Sequence, residues 1–589
     1  MEKTDLSYYS ATTYAISSRV AGLPPRVAEG SLLLALFIGS LLLRLPFRAG
    51  SLVNWDSVNF VLGTQAFDLA HHQPHPPGYI GYVLLGSALN YITGDPIASL
   101  TLLSSIAGAL ATVLLFLLGS QFMPRPYAAI SAVLFALSPV VWYYSEVPLT
   151  YAVEVALALA FLFTGYKARA SGSLKYLLLT TVLLALLGAV RQSGGILLLP
   201  LWVYIAWAFP WRARCQVLAV FIIGNLAWLV PLLWMAGGPV AYLEEMAKLT
   251  GAVVTPVSVF TLNVWGLLRN VTFVVGGFLI GVNLALVPII MSYRRGCNPI
   301  TRLMRQDRTF FLLWAVPALL IYLLIHTGQL GYVLLLLPLG FLCVGTALVS
   351  LTQRSPDPRR NEPGNSWIGL RNVPVGLVAI GVLANVLAFF SLPSVIYAVA
   401  GTDGTTIMDN LAVSASGSSK GMTKARARQY DINRNDAHWQ ELVGFVHRFD
   451  PKTTAVLAVP DGAGSYRQLN YYLPEYPIYG LGKDRSGNFG HLMTAQGGQD
   501  TYTIDGLDLA KWKLPIPSEI QRLVIPDPGV FDHLEMQHLP NSKVTLYSGA
   551  EVVVVQVLPL TTLYSLNQEN TGNKESTEPG YFLIRTRTS

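Results

Sequence analysis

Residues Ser31–Asp56 read SLLLALFIGSLLLRLPFRAGSLVNWD. An apolar run, Ser31–Leu43, is closed by Arg44 and Arg48 and followed by a short polar stretch that ends on Asp56. About thirty mostly polar residues precede the run, which is not the layout of a secretory signal, so it reads as a retained first membrane span. Everything else in the chain is ordered by that reading.

Moving outward, the 589 residues are 52% hydrophobic and 12% charged, where soluble proteins carry about 25% charge. Charges are sparse up to about residue 400 and ordinary beyond it, which implies lipid as the first solvent and water as the second. Backbone polar groups cannot be satisfied by lipid, so the long apolar runs must be helices. By length they fall at about 29–48, 97–120, 126–144, 149–167, 174–190, 193–210, 215–236, 270–292, 309–326, 330–351 and 373–398, about eleven spans. The expected fold is thus an all-α polytopic membrane domain over 1–400 followed by a small α/β soluble domain.

Loop charges orient the chain. With the N-terminus and its Lys3, Arg19 and Arg26 in the cytoplasm, the even gaps hold Arg125; Lys167, Arg169 and Lys175; Arg212 and Arg214; Arg294 to Arg308; and Arg354 to Arg371. The odd gaps, 49–96, 145–148, 191–192, 237–269 and 327–329, hold few cations and face outside. An odd number of spans then places the C-terminal domain outside the cytoplasm, and a multi-pass protein of a bacterial inner (plasma) membrane is the expected setting. The net charge of +7 is distributed between apolar runs, as orientation requires, which argues against nucleic acid as a partner. Cys215, Cys297 and Cys343 are scattered and form neither a disulfide framework nor a zinc spacing.

Beyond the membrane region, residues 401–435 read as a linker, with SASGSSKGMTKARAR at 414–428. The soluble domain then runs over 436–589. Asp436 is placed to cap an amphipathic helix ending near Arg448. TTAVLAV, RLVI and YFLIR read as strands, and KVTLY and EVVVVQV flank a Ser-Gly-Ala turn as a hairpin. No phosphate loop or catalytic signature stands out there, and no internal repeat is visible.

The first outer gap, 49–96, is long and patterned, which favours a functional loop. Asp56 is either a helix cap, as Asp before Ser commonly is, or a general base at the membrane–water boundary. Val58–Leu69 suits an amphipathic helix on the membrane surface. Residues 78–93 form a second helix-like run. His71, His72 and His75 invite a metal reading, but Pro74, Pro76 and Pro77 break any common face, and a rigid turn whose rings meet headgroups or phosphate is the alternative.

Glu146 follows Trp142, Tyr143 and Tyr144, which suggests an interfacial aromatic belt. Glu154 lies inside a span, where a carboxylate is costly; it serves function or an interspan hydrogen bond. Arg191 sits on the outer side against the charge trend, either holding phosphate through its fork or snorkelling. His326, Gln329 and Tyr332 in IHTGQLGYVLLLLP are placed to bind a headgroup or to close a tight turn.

Taken in order, the first span, the early loop acid, PHPPGY at 74–79, SEVPLTYAVE at 145–154, the outer Arg and GQLGYVLLLLP resemble the C-type (GT-C) membrane glycosyltransferases. The likeness is greatest to the protein O-mannosyltransferase-like group, which includes the aminoarabinose transferase of lipid A, and it covers roughly residues 25–400. The resemblance implies transfer of a sugar from a polyprenyl phosphate or pyrophosphate donor to a protein, lipid or glycan acceptor, usually with inversion. It implies that Asp56 is the base, that His75 to Tyr79 form the segment shaping the loop, and that His72, His75, Tyr79, Glu146, Arg191, His326, Gln329 and Tyr332 bind substrate. Some members of the group carry an acidic pair in the first loop; here Ser57 follows Asp56, so a metal-bridging pair is absent and a divalent metal stays open. A lipid-linked-sugar transporter or flippase, with ionisable residues at the midplane, and a non-catalytic envelope scaffold are the competing expectations.

Overall fold

A computed structural model of the chain describes residues 25–352, 374–390 and most of 427–586. Among the described residues, five helices are long and apolar enough to cross a bilayer: Val27–Phe47 (with a short 3₁₀ end), Pro96–Gly119, Tyr151–Ser171, Trp211–Met235 and Val264–Arg294. Shorter apolar helices are Ile80–Thr93, Leu174–Val190, Gln192–Trp207, Arg308–Leu324, Leu337–Thr352 and Val375–Phe389. Ten of the runs expected to span thus form helices. The stretch expected at 126–144 is two helices, Arg125–Ala136 and Pro139–Tyr144, because Pro139 cannot continue the first one.

Tyr151–Ser171 packs between Pro96–Gly119 and Leu174–Val190 at the centre of the bundle. The non-helical stretch 145–150 is buried, and its carbonyls are met from the neighbouring helix. Ser104 Oγ donates to Val147 O at 2.9 Å and Ser105 Oγ to Ser145 O at 2.9 Å. Irregular backbone survives among apolar helices only when satisfied in this way. Trp142, Tyr143 and Tyr144 are almost fully buried, with Trp142 stacked on Phe389 at 4.1 Å. They are core residues, not the interfacial aromatic belt expected of them, because the broken helix folds them inward.

The C-terminal domain opens with a helix at Gln429–Val446. The linker stretch 401–426 lies outside the described residues. The helix begins before Asp436, so Asp436 does not cap it. Instead its carboxylate accepts from the backbone N–H groups of Gly50 and Ser51, at 2.8 and 2.9 Å, in the first loop. The strands are β1 Thr454–Ala458, β2 Ile478–Lys483, β3 Phe489–Gln496, β4 Gln499–Ile504, β5 Lys513–Pro515, β6 Arg522–Ile525, β7 Asn541–Thr545, β8 Glu551–Gln556, β9 Thr561–Ser565 and β10 Phe582–Thr586.

Seven of them form a mixed sheet in the order β4-β3-β2-β1-β6-β8-β7, and β10-β9-β5 form a second. The centre is parallel, with Val456 opposite Ile478 on one side and Val524 on the other. β1 is buried throughout, as a parallel central strand must be. The expected hairpin is β7–β8, turned at Gly549 with φ of 80°, a left-handed conformation that glycine adopts without strain.

The domain sits on the first loop. Leu52 N donates to Tyr472 Oη at 2.7 Å, Asn435 Nδ2 donates to Leu52 O at 3.1 Å, and Trp55 packs on the domain's own apolar core. The C-terminal domain and the 49–96 loop therefore lie on one side of the helical bundle.

Candidate active site

The helix Trp55–Gln65 starts at a capping box. Asn54 Oδ1 accepts from Ser57 N at 2.9 Å, and Ser57 Oγ accepts from Asn54 N at 3.0 Å. This satisfies the first-turn donors reciprocally. Asn54, not Asp56, is the cap, so the Asp56 carboxylate is left for other work. Its residues Ser57–Gly63 are all buried. The helix is therefore enclosed between the bundle and the C-terminal domain instead of lying on a membrane surface, and it ends at Gln65, short of Leu69.

Asp56 is 37% exposed. Gln329 Nε2 donates to its Oδ2 at 2.8 Å, and Asn54 Nδ2 donates to Gln329 Oε1 at 3.2 Å. The His75 Nε2 atom stands 3.9 Å from Asp56 Oδ1. On its other edge, His75 Nδ1 meets Asn59 Nδ2 at 3.4 Å. Phe60 walls the group, with ring centroids 5.3 Å from His75 and 5.0 Å from Tyr79. Burial pushes the His75 imidazole below its ordinary value; Asp56 opposes that shift, and Arg191 and Arg467 add to it.

The segment 68–79 holds His75 in place. Asp68 and Gln73 exchange backbone hydrogen bonds at 2.7 Å, and Asp68 also accepts from the His71 ring at 2.6 Å. Gly78 has φ of 101°, and a Cβ there would lie 2.6 Å from Leu232 Cδ1, so only glycine fits. Gln192 Nε2 and Tyr242 Oη both donate to Pro77 O at 3.2 Å, tying this turn to two helices of the bundle.

Arg191 and Glu154 form one buried unit. Arg191 Nε lies 3.1 Å from Glu154 Oε2 and Arg191 Nη1 donates to Thr150 Oγ1 at 2.8 Å. Its guanidinium lies 4.3 Å from the Tyr151 ring centre and 4.8 Å from that of Tyr332. The cation reserved for phosphate in the sequence reading is already engaged by an acid, and Glu154 makes the interspan contact considered for it.

Arg269 is the cation that sequence reasoning missed. It is 7% exposed, and among the described residues it makes no hydrogen bond or ion pair, only a contact of 5.3 Å with the Phe273 ring. Tyr332 lies within electrostatic reach of Arg191, Asp56, Glu154 and Arg269 together. Its neighbour Asn270 accepts from Thr327 N at 3.2 Å, which pins the turn carrying Gln329 to the Arg269 helix. A buried guanidinium without a counter-anion is costly. The only sequence signal was an arginine at the last position of the 237–269 gap, against the apolar run that follows.

Of the residues expected at the site, Asp56, His75, Tyr79, Gln329 and Tyr332 lie together. His326 joins through its ring, 5.9 Å from Tyr332. His72 takes a left-handed backbone, φ 57°, and offers its carbonyl to Arg467. Glu146 does not join them: it is fully buried in the field of Arg44. Among the described residues no three His, Cys, Asp or Glu side chains are grouped to hold a metal ion, and His71 is turned to Asp68.

No family model and no curated protein sequence matches this chain. The fold does have solved counterparts. ArnT from Cupriavidus metallidurans bound to undecaprenyl phosphate matches with a TM-score of 0.52 at 14% identity, over 90% of this chain and 98% of the other. The apo state of the same protein matches at 0.50 and 13% identity, with the same 90% and 98% coverage. The chain shares the fold of that protein over most of its length.

Proposed function

We propose that this protein is a membrane glycosyltransferase that moves a sugar from a polyprenyl-phosphate-linked donor to a hydroxyl group on a glycan, lipid or protein acceptor. The observation that carries the reading is Asp56. It is a half-exposed carboxylate released from capping, held on one oxygen by Gln329 and walled by His75 and aromatic rings.

In this mechanism the acceptor hydroxyl gives its proton to Asp56 as its oxygen attacks the anomeric carbon. The bond from that carbon to the donor phosphate breaks, and the electron pair leaves on the polyprenyl phosphate. A single displacement of this kind inverts the anomeric centre. The leaving charge needs a cation in a water-poor place, and Arg269 is a buried guanidinium that pairs with no acid among the described residues. Tyr332 is within electrostatic reach of both Asp56 and Arg269, and the His326 ring lies 5.9 Å from it. Arg191, neutralised by Glu154, supports the wall. That pairing also weakens the transporter reading, since Glu154 was the ionisable residue inside a span that favoured it.

The likeness of fold to a protein crystallised with undecaprenyl phosphate supports a lipid-phosphate donor. The loop charges support a site on the outer face of the membrane, with a bacterial inner membrane as the proposed setting. Mass spectrometry of lipid copurifying with the protein tests the donor class. A polyprenyl phosphate or its glycosylated form is expected; phospholipid alone, with no transfer from added polyprenyl-phosphate sugars, would contradict the reading.

A further inference from the structure

Arg467 belongs to the C-terminal domain, on the helix Tyr466–Tyr472, yet its side chain is 1% exposed and works in the first loop. Nε donates to Asn59 Oδ1 at 3.1 Å, and Nη2 donates to His71 O at 2.6 Å and reaches His72 O at 3.5 Å. A guanidinium can only donate. The Asn59 atom facing it must therefore be the amide oxygen, which leaves the Asn59 NH₂ group facing His75 Nδ1 at 3.4 Å. That NH₂ can only donate in turn, so Nδ1 of a neutral His75 must accept and its proton resides on Nε2. Nε2 is the atom 3.9 Å from Asp56 Oδ1.

We propose that Arg467 is a positioning residue supplied by the C-terminal domain, which orients the Asn59 amide and thereby sets His75 in the Nε2–H tautomer that faces Asp56. The opposite tautomer would aim a lone pair at the carboxylate. An imidazolium would form an ion pair with Asp56 and occupy the base. With Arg467 docked, His75 stays neutral with its N–H directed to Asp56. The groups facing the ring are Asp56 from the loop helix, Arg191 from the bundle, Arg467 from the C-terminal domain, and the Tyr79 ring at 5.0 Å. The soluble domain thus completes the site instead of merely covering it.

This inference rests on Asp56 as the base, but its tautomer statement is read without turnover. The experiment uses full-length protein in liposomes with ring-¹⁵N histidine, His75 being identified by its loss in His75→Gln. In the wild type at neutral pH, Nε2 should be protonated and Nδ1 not. Arg467→Met should give a mixed tautomer and raise the His75 titration midpoint by about one pH unit. With transfer measured, kcat should fall about tenfold and the acid limb of its pH profile should move up with the midpoint, while donor KM stays within about twofold. Arg467→Lys keeps a donor to Asn59 and should restore the tautomer and most of the rate. If Arg467→Met fails to fold, Asn59→Ala reads the same link without touching the domain. An unchanged tautomer and pH profile in these variants, with only thermal stability lowered, would overturn the proposal. The wild-type tautomer with no transferase activity would instead count against the function and leave the positioning intact.

Discussion

Gln329 donates its side-chain amide to the Asp56 carboxylate at 2.8 Å, joining residues 273 positions apart in sequence. The bond fixes one carboxylate oxygen and leaves the other, Oδ1, 3.9 Å from His75 Nε2. Gln329→Ala should therefore lower kcat about tenfold through misplacement of the base, with little change in donor KM. Gln329→Glu, which sets a like charge on Asp56, should be worse. Steady-state transfer assays check both, and equal kcat in wild type and Gln329→Ala would remove the orienting role.

Arg191 and Arg269 should separate cleanly. Arg191→Met strands the Glu154 carboxylate in the bundle, and breaking a buried pair this way costs about 3–5 kcal/mol. The double variant Arg191→Met/Glu154→Leu should recover much of that loss in thermal midpoint. Arg269 has no acid to strand, so Arg269→Gln should leave stability unchanged or raised. It should instead raise donor KM about tenfold or more, the value of a charged hydrogen bond of about 1.5–3 kcal/mol. Thermal unfolding and donor titration of the three variants check this.

Asp436 docks the soluble domain. Both its oxygens accept from backbone N–H groups, and Asp436→Asn must turn an NH₂ toward one of them. The loss should be about 1–3 kcal/mol, seen as faster proteolysis between the bundle and the domain. Burial holds the Asp436 carboxyl above its ordinary value of 3.8. As pH falls, the folded protein takes up this proton before the unfolded chain does, so the group's contribution to stability rises on acidification toward 3.8. Asp436→Asn should abolish that component.

His75 has the opposite sign. Its folded value lies below the ordinary 6.5 because the ring is buried. Its contribution is complete above that pH and is lost as pH falls below it, since the unfolded chain binds the proton first. Between about pH 7.5 and pH 5.5 the thermal midpoint should fall more in the wild type than in His75→Gln. Equal falls would contradict a neutral, buried His75.

The membrane helices were legible because apolar length is a strong signal in lipid. What the runs did not disclose was the break at Ser138–Pro139, which turns Trp142 and Tyr144 into core. The loop acid was legible, but its role was open until Asn54 proved to be the cap, since two cap-type residues stand within the same turn. Strands β2 to β5 and β9 were missed: Gly480 and Gly482 in β2 and the polar Gln499–Thr503 of β4 lack the alternation that marks a strand. Arg467 and Arg269 were invisible for another reason. Arg467 acts on residues far away in the chain, and no local pattern separates either buried arginine from an ordinary surface charge.

The most direct measurement compares wild type and Asp56→Asn, purified and reconstituted, for sugar release or transfer from a polyprenyl-phosphate-linked donor. The account predicts folded Asp56→Asn with the wild-type thermal midpoint, unchanged donor binding and a rate lower by about 10²–10⁴. Transfer by Asp56→Asn as fast as by wild type would contradict it.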